Sequence, residues 1–92
     1  TKSGSEIDVY YKDEKVVVLG ATKTGKGMLA LNTQNSNSLA FIGPSENGHG
    51  MLTLNNKNDK QIVYIGPNKS SHGLIIINDR YGEYKWGESG QR

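Results

Sequence analysis

Two histidines, His49 and His72, stand 23 residues apart, each followed by glycine, and Lys26 stands another 23 residues before His49. Imidazoles at matching positions of neighbouring units are nitrogen ligands that a divalent metal accepts, and three chains about one axis would bring several such rings together. The lysine in the same column favours a simpler reading, an exposed corner between glycines, so no metal is expected. Ser70 or Ser71, His72 and Asp79 are the residue types of a nucleophile, its base and an orienting carboxylate. Their adjacency on one corner, without a glycine-flanked elbow to expose a serine, argues against that chemistry. Asp13 with Glu14 and Asp79 with Glu83 fall in polar turns, where solvated charge is the default. No residue is assigned a catalytic or cofactor-binding role, and the chain does not read as an enzyme. One binding signal is left: Tyr81, Tyr84 and Trp86, beside Arg80, could stack on sugar rings, or they could plug the end of a core. Glycan binding through these four residues is the alternative function.

What positions all of these residues is a repeat. Gly48-His49-Gly50-Met51-Leu52-Thr53-Leu54-Asn55, a polar turn, and Gln61-Ile62-Val63-Tyr64-Ile65-Gly66-Pro67 recur 23 residues earlier as Gly25 to Asn32 and Ser38 to Pro44. The first half recurs again as Ser71 to Asn78. A fixed spacing with matching glycines, apolar pairs and asparagines marks an array of one supersecondary unit. Residues 5 to 24 read as a degenerate first unit, since Val16 to Gly20 match Leu39 to Gly43 whereas Leu29 and Leu31 project back onto Glu6 and Asp8. Units 25 to 47 and 48 to 70 are regular. Residues 71 to 92 form a shortened terminal unit, in which Tyr84-Lys85-Trp86-Gly87 matches Val63 to Gly66 at a spacing of 21.

Within each unit the period is that of strands. Leu29 and Leu31, Leu52 and Leu54, and Ile75 and Ile77 share a parity and should lie together on one face, the expected core. Met28 and Ala30, Met51 and Thr53, and Leu74 and Ile76 take the other, mixed face. The second strands are apolar at nearly every position, as strands buried on both sides are. Asn32, Asn55 and Asn78 suit strand ends that lead into sharp turns, and Gly20, Gly43 and Gly66 mark places where the chain turns. No segment sustains a helical period. The expectation is an all-β fold of short strands, two per repeat, in a single domain spanning residues 1 to 92.

Composition limits how such a domain holds together. Only 34% of the residues are hydrophobic, there are 12 glycines, and there is no cysteine, so neither a large core nor a disulfide is available to one chain. Partner chains are the expected remedy. The 11 basic and 9 acidic residues are scattered without a basic stripe, which argues against nucleic acid. No apolar run reaches the length of a membrane span. The Thr1-Lys2-Ser3-Gly4-Ser5 start reads as the cut end of a longer protein.

These glycine-bounded units resemble the β-repeat shafts of trimeric phage tail fibres and tail spikes and of related bacterial surface proteins. The resemblance implies an intertwined trimeric β-helix or β-prism and a structural role as a shaft or spacer. It also implies a place in a virion tail or on an extracellular surface, and no cofactor. The partners would be two further copies of the chain, adjacent fibre or spike domains, and a cell-surface glycan if the aromatic cluster binds. A monomeric β-solenoid or a small β-barrel or sandwich is the alternative architecture.

Overall fold

The computed structural model describes residues 6–35 and 37–91. It contains eight strands, β1 (Glu6–Tyr11), β2 (Glu14–Ala21), β3 (Gly27–Asn32), β4 (Ser38–Pro44), β5 (Gly50–Asn55), β6 (Gln61–Pro67), β7 (Gly73–Asn78) and β8 (Tyr84–Ser89), and among the described residues no helix. They form one antiparallel sheet in sequence order. Only consecutive strands touch, so β1 and β8 are open edges and the sheet closes into neither a barrel nor a solenoid coil. A second layer is also missing: all eight strands belong to the one sheet, and the Cα atoms occupy a slab of 44 × 32 × 13 Å. The sandwich expectation is therefore corrected along with the barrel and the solenoid.

Six of the seven hairpin turns are built alike, on an oxygen-bearing side chain at Thr22, Thr33, Ser45, Asn56, Asn68 and Asp79. In each, the amide of that residue donates to the carbonyl four residues on, at 2.6 to 2.9 Å. The side-chain oxygen in return accepts the amide of the residue four on, as Asn56 Oδ1 does from Lys60 at 3.1 Å and Asp79 Oδ1 from Glu83 at 3.0 Å. The residue third after it carries positive φ at Gly25, Gly48, Asp59, Ser71 and Gly82, the left-handed step that lets a short loop match the twist of its strands. The β1–β2 hairpin differs. Its two-residue turn, Lys12 and Asp13, has positive φ at both positions, and this shorter loop explains why the first strand slips against the frame, with Ile7 instead of residue 6 in the place of Leu29.

A bulge recurs once per unit. Val16, Leu39, Ile62 and Lys85 are skipped between paired neighbours, at a constant spacing of 23 residues. The last unit consequently keeps the frame and is not offset by two. Trp86 pairs with Ile77 as Val63 pairs with Leu54, and Gly87 pairs with Ile76 as Tyr64 pairs with Thr53. The glycines expected to turn the chain, Gly20, Gly43 and Gly66, instead lie inside strands. Asn55 and Asn78 brace the sheet: their Nδ2 groups donate to the carbonyls of Ser38 and Gln61 on the neighbouring strand, at 3.0 and 2.9 Å.

Register sorts the side chains into two faces. On face A, Ile7, Leu19, Leu29, Ile42, Leu52, Ile65, Ile75 and Glu88 form one row across all eight strands, and Val9, Val17, Leu31, Ala40, Leu54, Val63, Ile77 and Trp86 form the next. On face B, Asp8, Val18, Ala30, Phe41, Thr53, Tyr64, Ile76 and Gly87 make the central row. Leu29/Leu31, Leu52/Leu54 and Ile75/Ile77 do share face A, but that face is not the interior of a single chain. Among the described residues Val18, on face B, is the one buried hydrophobic residue, while Leu19, Ile42, Ile65, Ile75 and Ile77 are exposed. The second strands are half-buried rather than enclosed on both sides.

Candidate functional site

The turns lie along the two long borders of the slab, and the residues with chemical potential are distributed over them. One border carries the turns at 22–26, 45–49 and 68–72, and so Lys26, His49 and His72. His49 Nε2 lies 3.5 Å from Ser71 Oγ of the neighbouring turn. Between consecutive turns runs a shallow groove of about 330 Å³, bordered by Ser45, His49, Asn68 and Lys69. A similar groove of about 360 Å³ lies one unit earlier, beside Thr22, Lys26 and Glu46. Among the described residues, no three of His, Cys, Asp and Glu gather as ligands of a metal ion would.

Asp79 belongs to the opposite border. The six residues of β7 separate it from Ser70, Ser71 and His72 by roughly 20 Å, so these residues do not come together as nucleophile, base and orienter. Asp79 is occupied locally: Oδ1 accepts the amides of Tyr81 and Glu83 at 2.9 and 3.0 Å, and Oδ2 stands 3.9 Å from Lys85 Nζ. The Glu83 amide, foremost, and then the Tyr81 amide hold its carboxyl below the ordinary carboxylate value, as bonds to the ionised form do. Asp13 sits in the β1–β2 turn and Glu14 begins β2.

The aromatic residues at the C-terminal end are divided by the pleat. Trp86, 52% exposed, stands on face A beside Ile77. Tyr84 pairs with Asn78 on face B, where its ring packs over Gly87. Tyr81 belongs to the turn, with the Arg80 guanidinium 5.9 Å from its ring centroid. The four residues do not form one platform.

Tyr84 over Gly87 is the last of a series. A Cβ placed on Gly43 would meet Phe41 Cζ at 2.7 Å, and one on Gly66 would meet Tyr64 Oη at 2.6 Å. Phe41 and Tyr64 each lie over the glycine two residues on, and Tyr84, across the Lys85 bulge, over the glycine three residues on, filling the space a side chain would need. Tyr64 Oη reaches on to donate to the Pro67 carbonyl at 3.0 Å. Face B thereby covers much of its own backbone.

The broadest surface with binding potential is face A. Its two rows are apolar from Ile7 to Ile75 and from Val9 to Trp86, with Glu88 the sole charged member. Monomeric proteins rarely expose so large a contiguous apolar area. Sequence reasoning identified the β3, β5 and β7 members of this face but not Leu19, Ile42, Ile65 or Trp86. The bulges hid these, because one extra residue per second strand breaks the alternation that would have sorted them. The recurrence of Val16, Leu39, Ile62 and Lys85 was the signal available. Compared with protein families, curated proteins and solved structures, the chain matches none.

Proposed function

We propose that this chain is a structural, non-enzymatic spacer, a segment of the shaft of a trimeric phage tail fibre or spike or of a similar surface fibre. The observation that carries the reading is the linear ladder: each strand touches only its sequence neighbours, and turn, bulge and face pattern recur every 23 residues. Such an array lengthens or shortens by whole units without redesign, since its stability is close to a sum of unit and neighbour terms. The chemistry-bearing side chains are spread over two borders and two faces, an arrangement suited to spacing and not to turnover. Three copies are the expected assembly, with neighbouring fibre domains at the ends of the stack.

Deleting residues 48–70 tests the reading. The deletion removes one whole period and joins Asn47 to Ser71, preserving the turn that begins at Ser45. The shortened protein should fold cooperatively to the same number of copies, with two strands fewer and a lower melting temperature. Recovery only as aggregate, or loss of cooperative unfolding, would refute the spacer.

A further inference from the structure

The geometry points to face A as a homotypic interface, the surface through which copies of this chain pack sheet against sheet, with the β1 and β8 edges left out of the contact. This inference rests on the self-association in the proposed function and specifies its surface. Three observations carry it. The first is area: the chain exposes 6812 Å², about 1,500 Å² more than a compact monomer of 10.1 kDa. A stable interface needs about 800 Å² from each partner, so the excess matches what one sheet face would cover on assembly.

The second observation is the distribution of charge. Strands β3 to β7 contain no charged residue, whereas β1 carries Glu6 and Asp8 and β8 carries Lys85 and Glu88. Lys15 folds onto both β1 carboxylates, at 3.1 Å from Glu6 and 3.2 Å from Asp8, and Lys85 occupies the β8 bulge. Charges and bulges on terminal strands are the devices by which sheets discourage edge pairing. The edges are guarded and the face is not.

The third is dimension. Strands of six to eight residues run about 20 to 27 Å. Three such sheets set as a triangle, with strands crossing the axis, leave about 6 to 8 Å from sheet to axis, between half of the usual ~10 Å sheet spacing and the whole of it. Leucine and isoleucine fill that gap. An aliphatic face packs as well against further copies of itself as against any other apolar surface, and with Glu88 at its β8 margin as the single charge in its two rows it offers little to select an unlike partner.

The sole tryptophan lies on face A, so its fluorescence reports the contact. Wild-type protein at micromolar concentration should have the mass of an oligomer by light scattering and a blue-shifted Trp86 emission. Leu52→Lys, at the centre of the face, should lower the mass to one chain and shift the emission to the red, while Gln34→Lys, in a turn, should change neither. Because Leu52→Lys could also unfold the chain, single cysteines give a second reading in a protein that has none of its own. Mixtures of Ile42→Cys and Ile65→Cys should be joined between copies by a short bismaleimide, and Thr53→Cys, on face B, should not. A monomeric wild type with red-shifted Trp86 overturns both this interface and the trimer. An oligomer whose mass and emission survive Leu52→Lys, or which cross-links through Thr53→Cys and not through the face A cysteines, overturns the interface alone and leaves the spacer standing.

Discussion

The two faces of this sheet solve the same problem in opposite ways. Face B is partly covered within the chain: Phe41 and Tyr64, half-buried, lie over Gly43 and Gly66 and Val18 is buried, although Tyr84, over Gly87, stays 63% exposed. Face A is built of residues just as apolar, yet its isoleucines stay 40 to 64% exposed along the Ile42 row. The difference lies in the partners each side chain is offered. A large ring beside a glycine has a bare stretch of backbone to cover, whereas a row of branched aliphatic residues leaves no hollow for any of them to fold into. Such a row is satisfied only by a second surface.

The same substitution on each face gives the largest expected effect. Gly66→Ala puts a methyl 2.6 Å from Tyr64 Oη and 3.0 Å from Met51 Cβ, so the ring must lift and release the Pro67 carbonyl. A loss of about 1 to 3 kcal/mol is expected. Gly50→Ala adds a methyl with no atom within 4 Å and should gain about 0.5 kcal/mol from the stiffer strand. Denaturant midpoints at one chain concentration decide the matter, and equal effects would mean that face B is not self-covered as described.

A change confined to a turn sharpens the contrast, because it should alter the stability of each chain and leave the proposed self-association alone. Ser71 holds φ at 70°, where the equivalent positions carry Gly25 and Gly48. Ser71→Gly relieves a left-handed side chain and should stabilise by about 0.5 to 1 kcal/mol. No gain in midpoint, or a changed oligomer mass, would contradict this.

The smallest effect belongs to Asp79. Its carboxyl is held below the ordinary value by the Glu83 and Tyr81 amides. The folded group therefore adds stability above the ordinary carboxylate pKa, and that contribution disappears as pH falls through the lowered value. Asp79→Asn should keep the turn, since Asn56 and Asn68 do the same work in the equivalent turns, and should flatten the acid limb of the stability curve. An unchanged acid limb would show that the turn does not discriminate the charged form.

Much of this architecture was legible. The parity of Leu52 and Leu54 put them on one face because nothing interrupts β5, and the 23-residue spacing located the strands from β2 to β7. Two features escaped for physical reasons. The bulge at Leu39 or Ile62 makes a half-exposed strand look apolar throughout, and Trp86-Gly87 imitates Ile65-Gly66 although register puts Gly87 in the place of Tyr64. The turns hid a finer period: Thr22, Thr33, Ser45, Asn56, Asn68 and Asp79 follow one another at alternate steps of 11 and 12 residues. Four residue types serve there as the same acceptor, so a comparison of letters misses what a comparison of side-chain oxygens finds. Of the candidate sites, the split of Tyr84 from Trp86 depended on the Lys85 bulge and could not be read from their proximity in sequence.

The strictly sequential pairing of the strands also fixes how one chain would answer to tension. The first and last strands lie at opposite ends of the slab, and every hydrogen-bonded pair joins neighbours in sequence. A pull on the ends would therefore load one strand junction at a time, like a zip, with only turn-to-turn bonds one unit apart, such as Asn56 Nδ2 to the Arg80 carbonyl, to share the force. Each hairpin that gave way would free 23 residues, or about 75 to 80 Å of extended chain, in near-identical steps. A single copy would be compliant along its length, and any stiffness of the proposed fibre would have to arise between copies.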